Sequence, residues 1–229
     1  MVVSYAPEGM MVAMRAGQLQ LRREDVAELL AHDLRTPLAA LALNVEYALG
    51  ELGADAPPEV RSALEDCGRA THQSVTLVAD MMDAMHLTSG ELRLELDDVD
   101  VQATLAEAAR AVAPDAAARG VRLMWSAEPA LVHADAGLLA RAIERVLERA
   151  VRQARSGGSI DVTLRKATIV VRVRAPDSDV VPMVVDVGVR ALATHFADTA
   201  MRAQGGAVWT ESDGDGALLF CIALPTPTP

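Results

Sequence analysis

The stretch that decides the fold is ELLAHDLRTPLAALALNV, residues 28–45. Apolar residues recur through it at helical spacing, yet His32, Asp33, Arg35, Thr36 and Pro37 interrupt its centre. The same periodicity runs outward in both directions through Leu19, Val26, Leu30, Leu34, Leu38, Leu41, Val45, Leu49 and Leu52. A 3.6-residue period of this kind predicts one amphipathic helix, here over about 18–52. GADAPP (53–58) reads as a turn that ends in a helix-starting proline. A second helix follows over 59–87, with Val60, Leu64, Cys67, Thr71, Val75, Val78, Met82 and Met85 on one face, and TSG (88–90) stops it. Two such helices make an antiparallel hairpin with arms of roughly 45 Å, at about 1.5 Å per residue. One hairpin cannot bury two apolar stripes completely, so the expectation is a homodimer whose two hairpins form a four-helix bundle.

The polar interruption carries chemistry. Pro37 has no backbone N–H to give to the carbonyl of Asp33, so the helix should bend and expose that carbonyl. A neutral imidazole is a nucleophile at physiological pH, and a neighbouring carboxylate can orient it and take its proton. Thr36 lies one turn from His32 and Asp33, close enough to position a water. A lone His-Asp pair in a helix is more often an ordinary solvated pair, so these two residues decide nothing by themselves.

Composition narrows the classes. The chain has 229 residues, long enough for one large domain or two small ones with a buried core. Hydrophobic residues reach 51% but aromatics only 3%, so Ala, Leu, Val and Met must build the interior, which favours helices. With 21 basic and 32 acidic residues the net charge is -11, which argues against a nucleic-acid partner. Cys67 and Cys221 match no metal spacing and read as buried thiols in a reducing compartment. The absence of a long apolar run argues against a membrane span, and MVVSYAPEGMMVAMRAG (1–17) lacks the layout of a signal peptide. The expectation is a cytoplasmic protein with a flexible leader over 1–17, a hairpin over 18–88 and a second domain over 91–225. The tail, 226–229, reads as disordered.

Past Gly90 the pattern changes. ELRLEL (91–96) alternates like a strand, and VDVQATLAEAARAVAPDAAARG (99–120) reads as a helix capped by Gly120. VRLMWSA is a strand, and DAGLLARAIERVLERAVRQAR is a helix opened by Asp135. SIDVTLRKATIVVRVRAP folds into two strands around a Lys166-Ala167 turn; VGVRALATHFADTAMRAQGG is a helix, and AVWTES and GALLFCIALP close as strands. Trp125 and Trp209 read as core anchors. The fold class is therefore α+β: a long helical hairpin followed by an α/β sandwich.

HDLRTPL (32–38) resembles the H box of sensor histidine kinases, in which a histidine on a dimeric helical hairpin carries a phosphoryl group. The order hairpin, short linker, α/β domain resembles that family's layout over about 20–225. The resemblance implies that His32 is the phosphoacceptor and Asp33 its acid/base. It gives Thr36, completing Asp-x-x-Thr, the water-orienting position of the phosphatase reaction, and makes Leu34, Arg35 and Leu38 a receiver-facing stripe. It also implies response-regulator receiver domains as partners.

The second domain departs from the family. Where the family carries an N-x-x-x-N-A-x-K box that binds nucleotide and Mg²⁺, RVLERAVRQ places Arg145 and Arg149. An asparagine carbonyl can ligate Mg²⁺, whereas a guanidinium has no acceptor and carries positive charge. RAPDSDVVP (174–182) stands for D-x-G-x-G without a glycine; Asp177 or Asp179 stands nearest to its aspartate. Only Gly188 remains of the G-x-G phosphate loop, and the lid is shortened. VHADAGLLARAI and AQGGAVWTESDGDGALLFCIALP still resemble the family's framework. The whole is similar to ChpT-type histidine phosphotransferases, which implies transfer between receiver domains, no cofactor of its own, and Mg²⁺ supplied by the receiver. A divergent kinase that still uses ATP, and a non-catalytic pseudokinase scaffold that binds a receiver, remain open on the same residues.

Overall fold

The structure is a computed structural model, and it describes residues 14–15, 18–19, 23–53, 55–175, 190–213, 215 and 217–225. The chain divides into two compact units, Met1–Met85 and His86–Pro229.

In the first unit, β1 (Met14–Arg15) pairs antiparallel with β2 (Gln18–Leu19), and α1 (Arg23–Glu51) and α2 (Pro58–Ser89) form the hairpin. The helix expected from residue 18 therefore starts at Arg23. Gln18 and Leu19 are committed to a two-residue ladder, whose extended dihedrals exclude a helical start there. Pro37 lies inside α1 without ending it.

The two helices meet closely where side chains are small. A Cβ at Gly68 would lie 3.4 Å from Val45 Cγ1. Arg61 Nη2 donates to the carbonyls of Leu52 (3.4 Å) and Gly53 (3.2 Å), which serves the end of α1, where carbonyls lack helical partners. The apolar stripe of α1 splits in two. Ala31, Leu38, Ala42, Val45, Leu49 and Leu52, at heptad spacing, are buried or half-buried, whereas Leu30, Leu34 and Leu41 stay about half exposed and Leu43 and Tyr47 more so.

The second unit runs β3 (Leu96–Asp100), α3 (Val101–Ala118), β4 (Arg122–Ala127), β5 (Leu131–Asp135), α4 (Ala136–Gln153), β6 (Ser159–Arg165), β7 (Thr168–Arg174), α5 (Arg190–Ala203), β8 (Ala207–Ser212) and β9 (Leu218–Ala223). Five strands form one sheet in the order β4-β6-β7-β9-β8, with β4 parallel to β6 and the other pairs antiparallel. Strands with alternating burial, such as Ile160, Val162 and Leu164 on β6, turn one face to α3, α4 and α5. Ile143 and Leu147 of α4, Met201 of α5 and Phe220 and Ile222 of β9 complete that core. The opposite face of the sheet carries Asp161, Thr163, Arg172 and Leu219 and is uncovered among the described residues of this unit. Lys166 and Ala167 take φ of 48° and 59°, the left-handed geometry of a two-residue hairpin turn.

Three expectations are corrected here. ELRLEL is not the strand. Pairing starts at Leu96 opposite Asp135, because β5 ends there as α4 begins, and Glu95 N instead donates to Asp135 Oδ2 at 3.0 Å. Trp125 and Trp209 are not core anchors. They are 43% and 40% exposed, since each stands on an edge strand, β4 or β8, with no further strand beside it among the described residues. Cys67 is exposed on the outer side of α2, and only Cys221 is buried. The D-x-G-x-G counterpart, Asp177, Asp179, the lid, Gly188 and the tail lie outside the described residues.

Candidate functional site

The helical phase of α1 sets the site. Ala31 is fully buried, so the next residues turn outward, and His32, Asp33, Leu34, Arg35 and Thr36 are all exposed. His32 Nδ1 lies 3.7 Å from Asp33 Oδ1, with both side chains more than three-quarters exposed. Asp33 therefore faces one ring nitrogen and leaves Nε2 directed to solvent. Thr36 sits one turn on, and Pro37 removes the N–H that would otherwise cover the Asp33 carbonyl. Leu38, by contrast, is half-buried in the same heptad series as Val45, so it shares the helix with Leu34 and Arg35 but not their exposure. The exposed His32–Asp33 pair can take a planar or trigonal group arriving from solvent without any rearrangement of the core.

Asp135 caps α4, its Oδ1 accepting from Leu138 N at 3.0 Å. Asp135 N in turn donates to Gln204 Oε1 at 2.6 Å, tying the helix entry to the end of α5. Further along α4, Arg145 and Arg149 are buried. Arg145 Nη1 donates to Glu148 Oε1 at 2.7 Å and lies 3.8 Å from Glu144 Oε2. The Arg149 guanidinium stands 5.8 Å from the centre of the Phe220 ring, and that of Arg141 stands 4.5 Å from Phe196. Residues 141, 145 and 149 recur every four positions and so share one face of α4. On that face of α4 the three guanidinium groups have no lone pair to give a cation, so these residues do not fit a Mg²⁺ ligand set.

Sequence reading marked Arg145 and Arg149 only as replacements for metal ligands. It missed that they are interior groups, Arg145 paired with Glu148 and Arg149 set over the Phe220 ring. The signals were available: the i, i+3 spacing of Arg145 and Glu148, and the fourfold repeat that adds Arg141.

Known proteins with similar sequences and folds agree with this layout. Residues 22–90 match the family model of the His Kinase A (phospho-acceptor) domain. The chain is 27% identical over 230 residues to the sensor protein DivL of Caulobacter vibrioides, covering 92% of this chain and 29% of that protein. It is 30% identical over 191 residues to the signal transduction histidine-protein kinase BaeS of Escherichia coli, covering 82% of this chain and 39% of that one. The chain thus spans well under half the length of these curated relatives. Full-length ShkA, solved in complex with AMPPNP, superposes with a TM-score of 0.62 at 22% identity, over 90% of this chain and 46% of that one. Among the described residues no helix is long and apolar enough to cross a membrane. The chain is histidine kinase-like in both units, a phosphoacceptor hairpin of the His Kinase A type followed by a domain with the fold of histidine-kinase catalytic domains.

Proposed function

We propose that the chain is a histidine phosphotransferase of a two-component phosphorelay, of the ChpT type, that moves a phosphoryl group between receiver domains. His32 Nε2 attacks the phosphorus of an aspartyl phosphate on a donor receiver. The phosphorus–oxygen bond to the aspartate breaks, a phosphorus–nitrogen bond forms, and Asp33 holds the Nδ1 proton of the resulting imidazolium. The acceptor receiver's aspartate then reverses these steps. Mg²⁺ comes from the acidic pocket of the receiver, and the chain brings no cofactor of its own. Leu34 and Arg35 offer an exposed apolar and cationic contact to the receiver, with Leu38 supporting them, and Thr36 orients the water for dephosphorylation.

The observation that carries this reading is the pairing of an exposed His32–Asp33 with the buried Arg145 and Arg149 where the kinase family places metal-ligating asparagines. The half-exposed Leu30, Leu34 and Leu41, with the more exposed Leu43 and Tyr47, support a second hairpin of the same chain as the partner that completes a four-helix bundle. A site of action in the cytoplasm follows from the receivers' own location.

The test supplies two donors separately: a receiver domain carrying labelled aspartyl phosphate, and labelled ATP with Mg²⁺. Label should reach the chain from the receiver and not from ATP, and His32→Ala should abolish it. Labelling from ATP alone makes the chain a divergent kinase. Receiver binding that survives His32→Ala, with no label from either donor, makes it a non-catalytic scaffold.

A further inference from the structure

The five-stranded sheet ends in an edge that is open at defined main-chain groups. Arg122 N donates to Gly158 O at 3.0 Å and Glu128 N to Leu164 O at 3.4 Å. In a parallel pair, alternate residues give both backbone groups to the same neighbour, so Arg122, Met124 and Ser126 serve β6. Leu123 and Trp125 therefore turn their N–H and C=O outward, where the sheet has no further strand among the described residues. The next outward carbonyl, that of Ala127, is closed by Gln102 Nε2 at 3.3 Å. The open stretch is thus two residues whose four main-chain groups have no partner among the described residues, long enough for one short added strand.

Natural edges are blunted by charge, proline or a bulge. This one instead presents Met124 at 55% and Trp125 at 43% exposure. Beside it, the open face of the sheet holds a groove of about 700 Å³, lined by Met124, Trp125, Thr163, Arg165 and Arg172 among others. Arg172 is ion-paired with Asp213 and, at 3.4 Å, with Asp215, and Arg174 with Asp161 at 3.1 Å. Arg165, exposed at the end of β6 that flanks Ala127, has no carboxylate within ion-pair distance among the described residues, and neither has exposed Arg122 at the start of β4. Among the described residues the open edge therefore has a cation outside any ion pair at each end and an apolar centre, in a chain whose net charge is -11.

We propose that the β4 edge is a docking site for an extended segment of a partner protein that adds as a sixth strand, with acidic side chains on either side of an apolar one. Main-chain bonds to Leu123 and Trp125 supply affinity, and alternate side chains reaching Trp125 and the two cations supply selectivity. The site lies wholly within the second unit and is independent of the chemistry at His32.

A phage library of random heptapeptides selected against the full chain tests this. Enriched peptides should carry an acidic residue on each side of an apolar centre. Trp125→Pro removes one outward N–H without touching the β6 ladder, and it should weaken the selected peptides at least tenfold. Arg165→Glu, an exposed change that leaves the edge intact, should weaken them several-fold, with the loss shrinking at high salt. No enrichment, enrichment without acidic residues, or equal binding to both variants overturns the proposal. So does self-association of the chain that Trp125→Pro abolishes, since a second copy then occupies the edge.

Discussion

Arg145 Nη1 donates to Glu148 Oε1 at 2.7 Å within a single turn of α4, and the arginine is shut off from solvent. The helix thus holds a cation in its interior. Losing the guanidinium leaves Glu148 and a hole. Because Glu148 keeps about a third of its exposure, the penalty lies below that of a fully buried pair. Arg145→Ala should cost about 1–2 kcal/mol. Urea denaturation of the full chain checks this, and a loss below about 0.5 kcal/mol would make the pair incidental.

His32 and Asp33 contribute little to stability, because both are exposed and, among the described residues, their only ion pair is with each other at 3.7 Å. His32→Gln should shift stability by no more than about 0.5 kcal/mol while removing phosphoryl transfer altogether. Thr36→Ala should leave transfer from a phosphorylated receiver within a few-fold and slow receiver dephosphorylation at least tenfold. Parallel urea melts and transfer time courses separate the two roles. A His32→Gln protein that still takes up label from a receiver places the phosphoacceptor elsewhere.

Much of this was legible in the residues because the signals were local. Asp135 as a cap, Gly120 with φ 67° at the end of α3, and the Lys166-Ala167 turn each need only neighbouring atoms. What failed depended on partners distant in sequence. β3 begins at Leu96 because Asp135, thirty-nine residues away, is the last residue of β5, and no alternation within ELRLEL records that. Trp125 and Trp209 looked interior by type, but burial depends on which strands stand at the sheet's edges. The α1 stripe was read as one face because both halves are apolar. Only the close approach of Val45 to Gly68 separates the seam against α2 from the exposed Leu30, Leu34 and Leu41.

Two glycines should respond to alanine with opposite signs. A Cβ at Gly206 would lie 2.5 Å from the Ala223 carbonyl oxygen and 2.8 Å from Met201 Cε, between α5 and the sheet. Backbone cannot yield that space cheaply, so Gly206→Ala should cost about 1–3 kcal/mol. Gly50, near the end of α1, has nothing within 4 Å of its Cβ position. There alanine only reduces the freedom of the unfolded chain, and Gly50→Ala should gain about 0.5 kcal/mol. Equal shifts from the two variants in thermal melts would contradict the packing between α5 and β9.

The thiol of Cys221 should make stability fall in alkaline solution. Burial, then the nearby Glu211 charge, then its hydrogen bond to Glu211 Oε1 at 3.8 Å raise its pKa from 9.0 to about 11. Between those values the folded chain keeps a proton that the unfolded chain has released. The folded state then binds more protons, so the contribution is fully present below pH 9 and is lost as pH rises toward 11. One group gives a slope of at most about 1.4 kcal/mol per pH unit. Glu211→Gln removes the charge while keeping an acceptor oxygen, and should lower the pKa, narrowing the window from its upper end. Iodoacetamide at pH 8 gives an independent reading: Cys67, exposed on α2, should react in the native chain, and Cys221 only after unfolding. Labelling of both at equal rates would mean that β8 and β9 open together on the time scale of the reaction, and the alkaline loss would then disappear with the burial that causes it.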